Sequence, residues 1–193
     1  MNVVSQLDTD EIINTTLEWL KTCVIGLNLC PFANKPFTDN TIRVTTCLKL
    51  DEDEILSTLK LELERLGTTK PAEIETTLLV IPFHFDDFYD FNDFLYKANE
   101  FLVLNDWEGV IQLASFHPEY QFAETSVNDK GNFTNRSPYP IVHLIREESL
   151  SNALDFYPDV DKIPDRNIST MNALSEHQIK DYFFWLNGNK KCR

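Results

Sequence analysis

The stretch Thr76-Thr-Leu-Leu-Val-Ile-Pro82 constrains this chain most. It is a short, continuous apolar run with β-branched residues, the pattern of a strand covered on both faces. A strand of that kind needs a packed layer on each side. The segments around it supply candidates. Asp8 to Leu27 carries Ile13, Leu17, Leu20, Val24 and Leu27 at helical spacing, with Asp8 and Glu11 placed as a capping pair. Asp51 to Leu66 repeats the pattern with Leu56, Leu59, Leu63 and Leu66, and Gly67 stands where a helix C-cap would. Asp90 to Leu104 places Phe91, Phe94, Leu95, Ala98 and Leu102 on one face. Residues 41–48, Gly109–Phe116 and Ile141–Ile145 read as further strands. Glu147–Phe156 and Asp159–Leu174 read as closing helices, with Pro164 in a first turn.

About four strands with helices packed on them make an α/β or α+β sandwich. The 193 residues suit a single domain, with residues 8–176 as its body and 177–193 as a C-terminal extension. Strand order is not encoded in any of these patterns.

Charge and targeting features narrow the partners. The chain has 17 Lys and Arg against 31 Asp and Glu, a net charge of −14. A surface of that sign repels nucleic-acid phosphate and anionic lipid. No stretch is long and apolar enough for a membrane span. The start, Met-Asn-Val-Val-Ser-Gln-Leu-Asp, lacks the basic flank and apolar run of a secretory signal. These features predict a cytoplasmic protein with free thiols and no nucleic-acid or membrane partner.

The chemistry-bearing residues concentrate at two places. The long first helix delivers Asn28-Leu29-Cys30-Pro31-Phe32 just past its end. The span between the last two strands carries Phe116-His117-Pro118-Glu119-Tyr120-Gln121-Phe122 and Thr134-Asn135-Arg136-Ser137-Pro138-Tyr139-Pro140. A structureless loop this long inside a compact domain is usually functional or disordered, and its aromatics and prolines speak against disorder. Cys30 as nucleophile with His117 as acid/base forms one expected pair. Asn28, Tyr120, Gln121, Asn135, Arg136 and Ser137 form the expected ligand-binding set, with the Arg136 fork matched to a carboxylate or phosphate. Such a site requires Cys30 to fold back from its helix end onto both ends of the loop.

Each of these residues also has a plainer role. Cys30 fits a buried turn, and Arg136 fits a loop clamp paired to Glu119 or Glu124. His143 lies mid-strand on one face with Ile141 and Ile145, as a hydrogen-bonded core histidine would. Arg43, Arg136 and Arg146 are candidates to line a local cationic pocket. Cys30, His117 and His143 match zinc or copper in ligand type, but no Cys-x-x-Cys or His-x-x-x-His spacing is present, so no metal ligands are assigned. The string Asp86, Asp87, Asp90 and Asp93 lacks calcium-loop spacing and suits a helix N-terminus. Phosphate loops, dinucleotide fingerprints and serine-hydrolase elbows are absent, and no cofactor is indicated.

The segments Val24-Ile-Gly-Leu-Asn-Leu-Cys-Pro-Phe-Ala33, Asp90-Phe-Asn-Asp-Phe-Leu95, Gln112–Phe122 and Thr134–Pro140 together resemble the domain-of-unknown-function family 1415. The resemblance covers about residues 10 to 176 and implies no reaction or cofactor. The reading that follows is a small cytoplasmic enzyme acting on a small anionic ligand. Its alternatives are a non-catalytic interaction module, with the loop aromatics as anchors, or a Cys/His metal protein.

Overall fold

A computed structural model describes residues 6–155, 157 and 159–187 of the chain. Four strands form one mixed sheet: β1 (Ile42–Thr46), β2 (Thr76–Val80), β3 (Ile111–Phe116) and β4 (Ile141–Arg146), in the order β1-β2-β4-β3. β1 and β2 are parallel, and β4 runs antiparallel to both of its neighbours. The fold is α+β. Helix α1 spans Gln6–Trp19, α2 Asn34–Thr38, α3 Glu52–Thr68, α4 Phe88–Leu104, α5 Glu147–Asp155, α6 Ile163–Ala173 and α7 Glu176–Tyr182.

The apolar run of β2 does what its composition demands. Leu79 faces a layer made by α3 and α4, where Ile55, Leu59, Leu63, Phe91, Phe94 and Ala98 are buried with Val142 and Leu144. Leu78 and Val80 face the opposite layer, with Ile12, Trp19, Leu20, Val24, Ile141, Met171, Ile179 and Phe183. Val142 and Leu144 therefore take one face of β4, and Ile141 takes the other with His143. Residues 177–187 join the second layer through Ile179 and Phe183.

Caps and close contacts fix the helix ends. Asp51 and Asp87 accept hydrogen bonds from first-turn N–H groups of α3 and α4. Gly67 does not cap α3, which runs on through Thr68. The ring of Trp107 lies where a side chain at 67 would go, since a Cβ there would come within 2.3 Å of it. Asp8 lies inside α1 rather than at its start, and its side chain is outside the described residues, as is Phe156 beyond α5. The stretch expected as one helix over Asp159–Leu174 is a 3-10 turn, Val160–Lys162, followed by α6. Pro164 occupies the first turn of α6.

The first helix departs most from its expected form. At Leu20 it widens to π geometry as far as Ile25. The buried stripe is Ile12, Thr16, Trp19, Leu20, Cys23 and Val24, rotated from the Ile13–Leu17 stripe that strict 3.6-residue spacing predicts. The wider turn carries the chain into a left-handed Asn28 (φ 52°) and then into Cys30 on the inner face. The Arg166 guanidinium donates to the Asn28 carbonyl (2.9 Å) and Asn167 Nδ2 to that of Leu29 (2.7 Å). α6 thus fastens the turn that presents Cys30.

Two of the three candidate arginines are spent on the frame. Arg43 pairs with the buried Glu62 through Nε and Nη2, at 2.7 and 2.9 Å. Arg146 donates to the carbonyls of Leu66, Thr69 and Ile74, which ties β4 to the end of α3.

Candidate functional site

Phe116 and Ile141 are paired at the end of adjacent antiparallel strands. Two residues suffice to join such strands, yet the chain takes residues 117–140. What this loop does with its polar groups decides whether it is a site or a scaffold.

His117 is buried at its base, 1% exposed. Its Nδ1 accepts the Glu119 N–H (3.0 Å) and therefore carries no proton of its own. Its Nε2 then carries the ring hydrogen and donates to the Phe85 carbonyl (2.8 Å). Phe85 is held in the left-handed region at φ 63°, and the ring of His117 stacks on Phe91 and touches Phe88. Burial lowers the pKa of His117, so the imidazole is neutral with both nitrogens engaged.

The other expected ligand-binding residues are engaged as well. Arg136 donates to the carbonyls of Tyr120 (3.3 Å) and Val127 (2.9 Å), and its guanidinium lies 4.4 Å from the Phe133 ring centre. It clamps the loop through carbonyls, not through Glu119 or Glu124. Asn135 reaches the Ser115 carbonyl and accepts from Thr134, Ser137 donates to the Tyr139 carbonyl, and Gln121 donates to that of Thr125. The Tyr120 ring packs between Phe88 and Phe122. Asn28 is exposed.

The loop's hub is an asparagine. Asn132 is fully buried. Its Oδ1 accepts from Phe122 N–H (3.0 Å) and Thr125 Oγ1 (2.9 Å), and its Nδ2 donates to the Ser126 carbonyl (2.8 Å).

Cys30 does not meet the loop ends around His117 and Arg136. It lines a cavity of about 690 Å³ against the sheet face that carries Leu78 and His143. The floor is Ile42, Thr76, Leu78, Ala114, Phe116, His143 and Ile145. One wall is Trp19, Leu20 and Val24 with the Cys30–Pro36 turn, and the other is α5 through Ser149, Leu150, Asn152 and Ala153. Lys35, Glu75 and Arg146 are the charged members of the lining. Volumes of about 300–1,000 Å³ with mostly apolar walls and a few polar groups typify small-molecule sites.

The polar groups inside it are few. Backbone N–H groups of Phe32 and Ala33 point at Cys30 Sγ and Arg166 adds a weaker favourable charge, but burial outweighs both and pushes the thiol pKa up. Cys23, fully buried nearby, donates to the Tyr182 carbonyl (2.8 Å), and burial pushes it up to about 12, which makes it a structural thiol. His143 borders the cavity half-buried, and desolvation by the surrounding protein lowers its pKa to about 4. Among the described residues no three His, Cys, Asp or Glu side chains converge as a metal site requires.

The sequence pattern of the family described as a protein of unknown function, DUF1415, matches residues 11–181. The chain belongs to that family. No curated protein and no solved structure matches. The DUF1415 match takes in the Cys30 turn, both ends of the loop, the sheet and α5 to α6, so the whole cavity lies within it. No helix among the described residues is long and apolar enough to cross a membrane.

Of the residues singled out in the sequence, the cavity uses Cys30, Phe32, Phe116, His143 and Arg146. Ala114 and Phe116 fall in the Gln112–Phe122 segment, whereas Trp19 and Ala153 carry no motif. The signals for the cavity were the Cys30 turn, that segment and a lone histidine on the Ile141–Ile145 face.

Proposed function

We propose that this DUF1415 protein binds a small, mainly apolar organic molecule in the cavity over β1, β2, β4 and β3. The observation that carries the reading is the cavity itself: about 690 Å³, apolar, and floored by a central sheet face. A cavity of that size in a tightly packed domain forfeits contacts that neighbouring side chains would otherwise make. A small anion held by Arg136, Asn135 and Ser137 is the weaker alternative, because their side chains are already bonded within the loop.

The test is binding of anilinonaphthalene sulfonate, an anionic dye that fluoresces when its aromatic rings are buried, to the native chain and to Ala153→Trp. The indole enters the cavity from α5, which is otherwise half-exposed at that position. Dye affinity is expected to fall by about tenfold or more, equivalent to ~1.4 kcal/mol, with the melting temperature little changed. No dye binding by the native chain, or equal binding by the variant, defeats the reading.

Chemistry at Cys30 is a second reading, favoured by the position of its sulfur on the cavity wall under two N–H groups. With the pKa raised, iodoacetamide at pH 7 is expected to alkylate Cys30 more slowly than a free cysteine peptide. Peptide mass mapping separates it from the other cysteines. Alkylation faster than the peptide favours catalysis over binding alone.

A further inference from the structure

We infer that His143 Nδ1 is the polar recognition point of the cavity, and that its ligand is an aromatic molecule bearing an O–H or N–H donor. The inference rests on the cavity being a binding site, and it assigns the class of molecule.

The argument starts at Thr76. Its hydroxyl lies 2.6 Å from the Leu144 carbonyl and 2.7 Å from His143 Nε2. A carbonyl only accepts, so the single hydroxyl hydrogen goes to Leu144. The contact with His143 then requires Nε2–H to donate to Thr76. Nδ1 is left with the lone pair. Among the described residues nothing donates to it, and His143 lines the cavity. His143 is half-buried, so this lone pair is open to whatever occupies the cavity. Here a ligand supplies the donor.

The surroundings define the rest of the molecule. Leu78 and Ala114 are the cross-strand neighbours of His143, and the Phe116 ring centre lies 6.2 Å from the imidazole. Trp19 meets Phe116 edge-on at 5.0 Å and joins the wall. Flat aromatic ligands pack against such rings. A neutral imidazole does not attract an anion at this depth, so the group that reaches it is an uncharged donor.

The experiment compares 2-naphthol with 2-methoxynaphthalene, which has the same rings and no donor. Binding is followed by displacement of the dye from the native chain. The ether is the more readily desolvated of the two, so burial alone favours it or treats both alike. The inference expects 2-naphthol to bind about tenfold tighter. It also expects the Nδ1 signal of His143 in ¹⁵N spectra to start as the unprotonated nitrogen and shift upfield with 2-naphthol only. Equal affinities overturn the inference and leave the cavity reading standing. Tighter naphthol binding without movement of the His143 signal overturns it too. If neither compound displaces the dye or binds, the cavity reading fails and takes the inference with it.

Discussion

Replacing His117 by alanine is expected to destabilise the fold by about 3 kcal/mol while leaving dye binding in the cavity unchanged in the folded fraction. The substitution removes the donor to the Phe85 carbonyl and the acceptor of the Glu119 N–H, and both groups stay buried or partly buried. Each such orphaned group costs on the order of 1–3 kcal/mol. The ring contacts with Phe88 and Phe91 go as well. Phe85 has the most to lose, because the His117 bond helps hold its left-handed backbone. Urea unfolding read by fluorescence measures the effect, with His177→Ala on an exposed helix face as a control expected to change little. A His117→Ala protein of native stability would return the histidine to the list of functional groups.

Acid is expected to remove about 3 kcal/mol of stability between pH 6.5 and pH 4 through His143 alone. In the fold its pKa lies near 4, below the ordinary 6.5. The unfolded chain therefore binds a proton across this window and the folded chain does not. The contribution is complete above pH 6.5 and is lost as pH falls towards 4. The shift of about 2.5 units at ~1.36 kcal/mol each sets the size. His117, lowered in the same direction by burial, adds to the slope. Urea midpoints at pH 7, 5.5 and 4.5 for the native chain and His143→Gln check it. The native chain should lose more than the variant at each acid step. Parallel curves would mean that His143 is hydrated in the fold and not desolvated.

The elements with strong local periodicity were legible from sequence. Each of the four strands, α3 and α4 obeys a simple rule, because burial of one or both faces enforces alternation or a helical stripe. The first helix broke its rule where the backbone widened at Leu20–Ile25, and a change of hydrogen-bond spacing leaves no mark in hydrophobic pattern. Gly67 was misread for a similar reason. Its cause is the ring of Trp107, a residue forty positions away.

The long loop gave the sharper lesson. Its dense polar groups look alike in sequence whether they face a ligand or one another. Asn132, Arg136 and Gln121 are turned on the loop's own backbone, and Asn135 on that of β3. A segment without ladder partners must satisfy its N–H and carbonyl groups somehow, and side chains do so here.

The sequence alone determined the layering of helices on a sheet, the acidic net charge, the DUF1415 membership and the placing of Cys30 just past a helix end. Each is written in composition, short-range period or contiguous motif. Tertiary structure decided which face of the sheet holds the cavity and which histidine lines it with Cys30. β4 enters between β2 and β3, and that strand order brings His143 over Thr76 and beside Phe116. Such neighbours are set by packing between distant segments, and no local pattern encodes them.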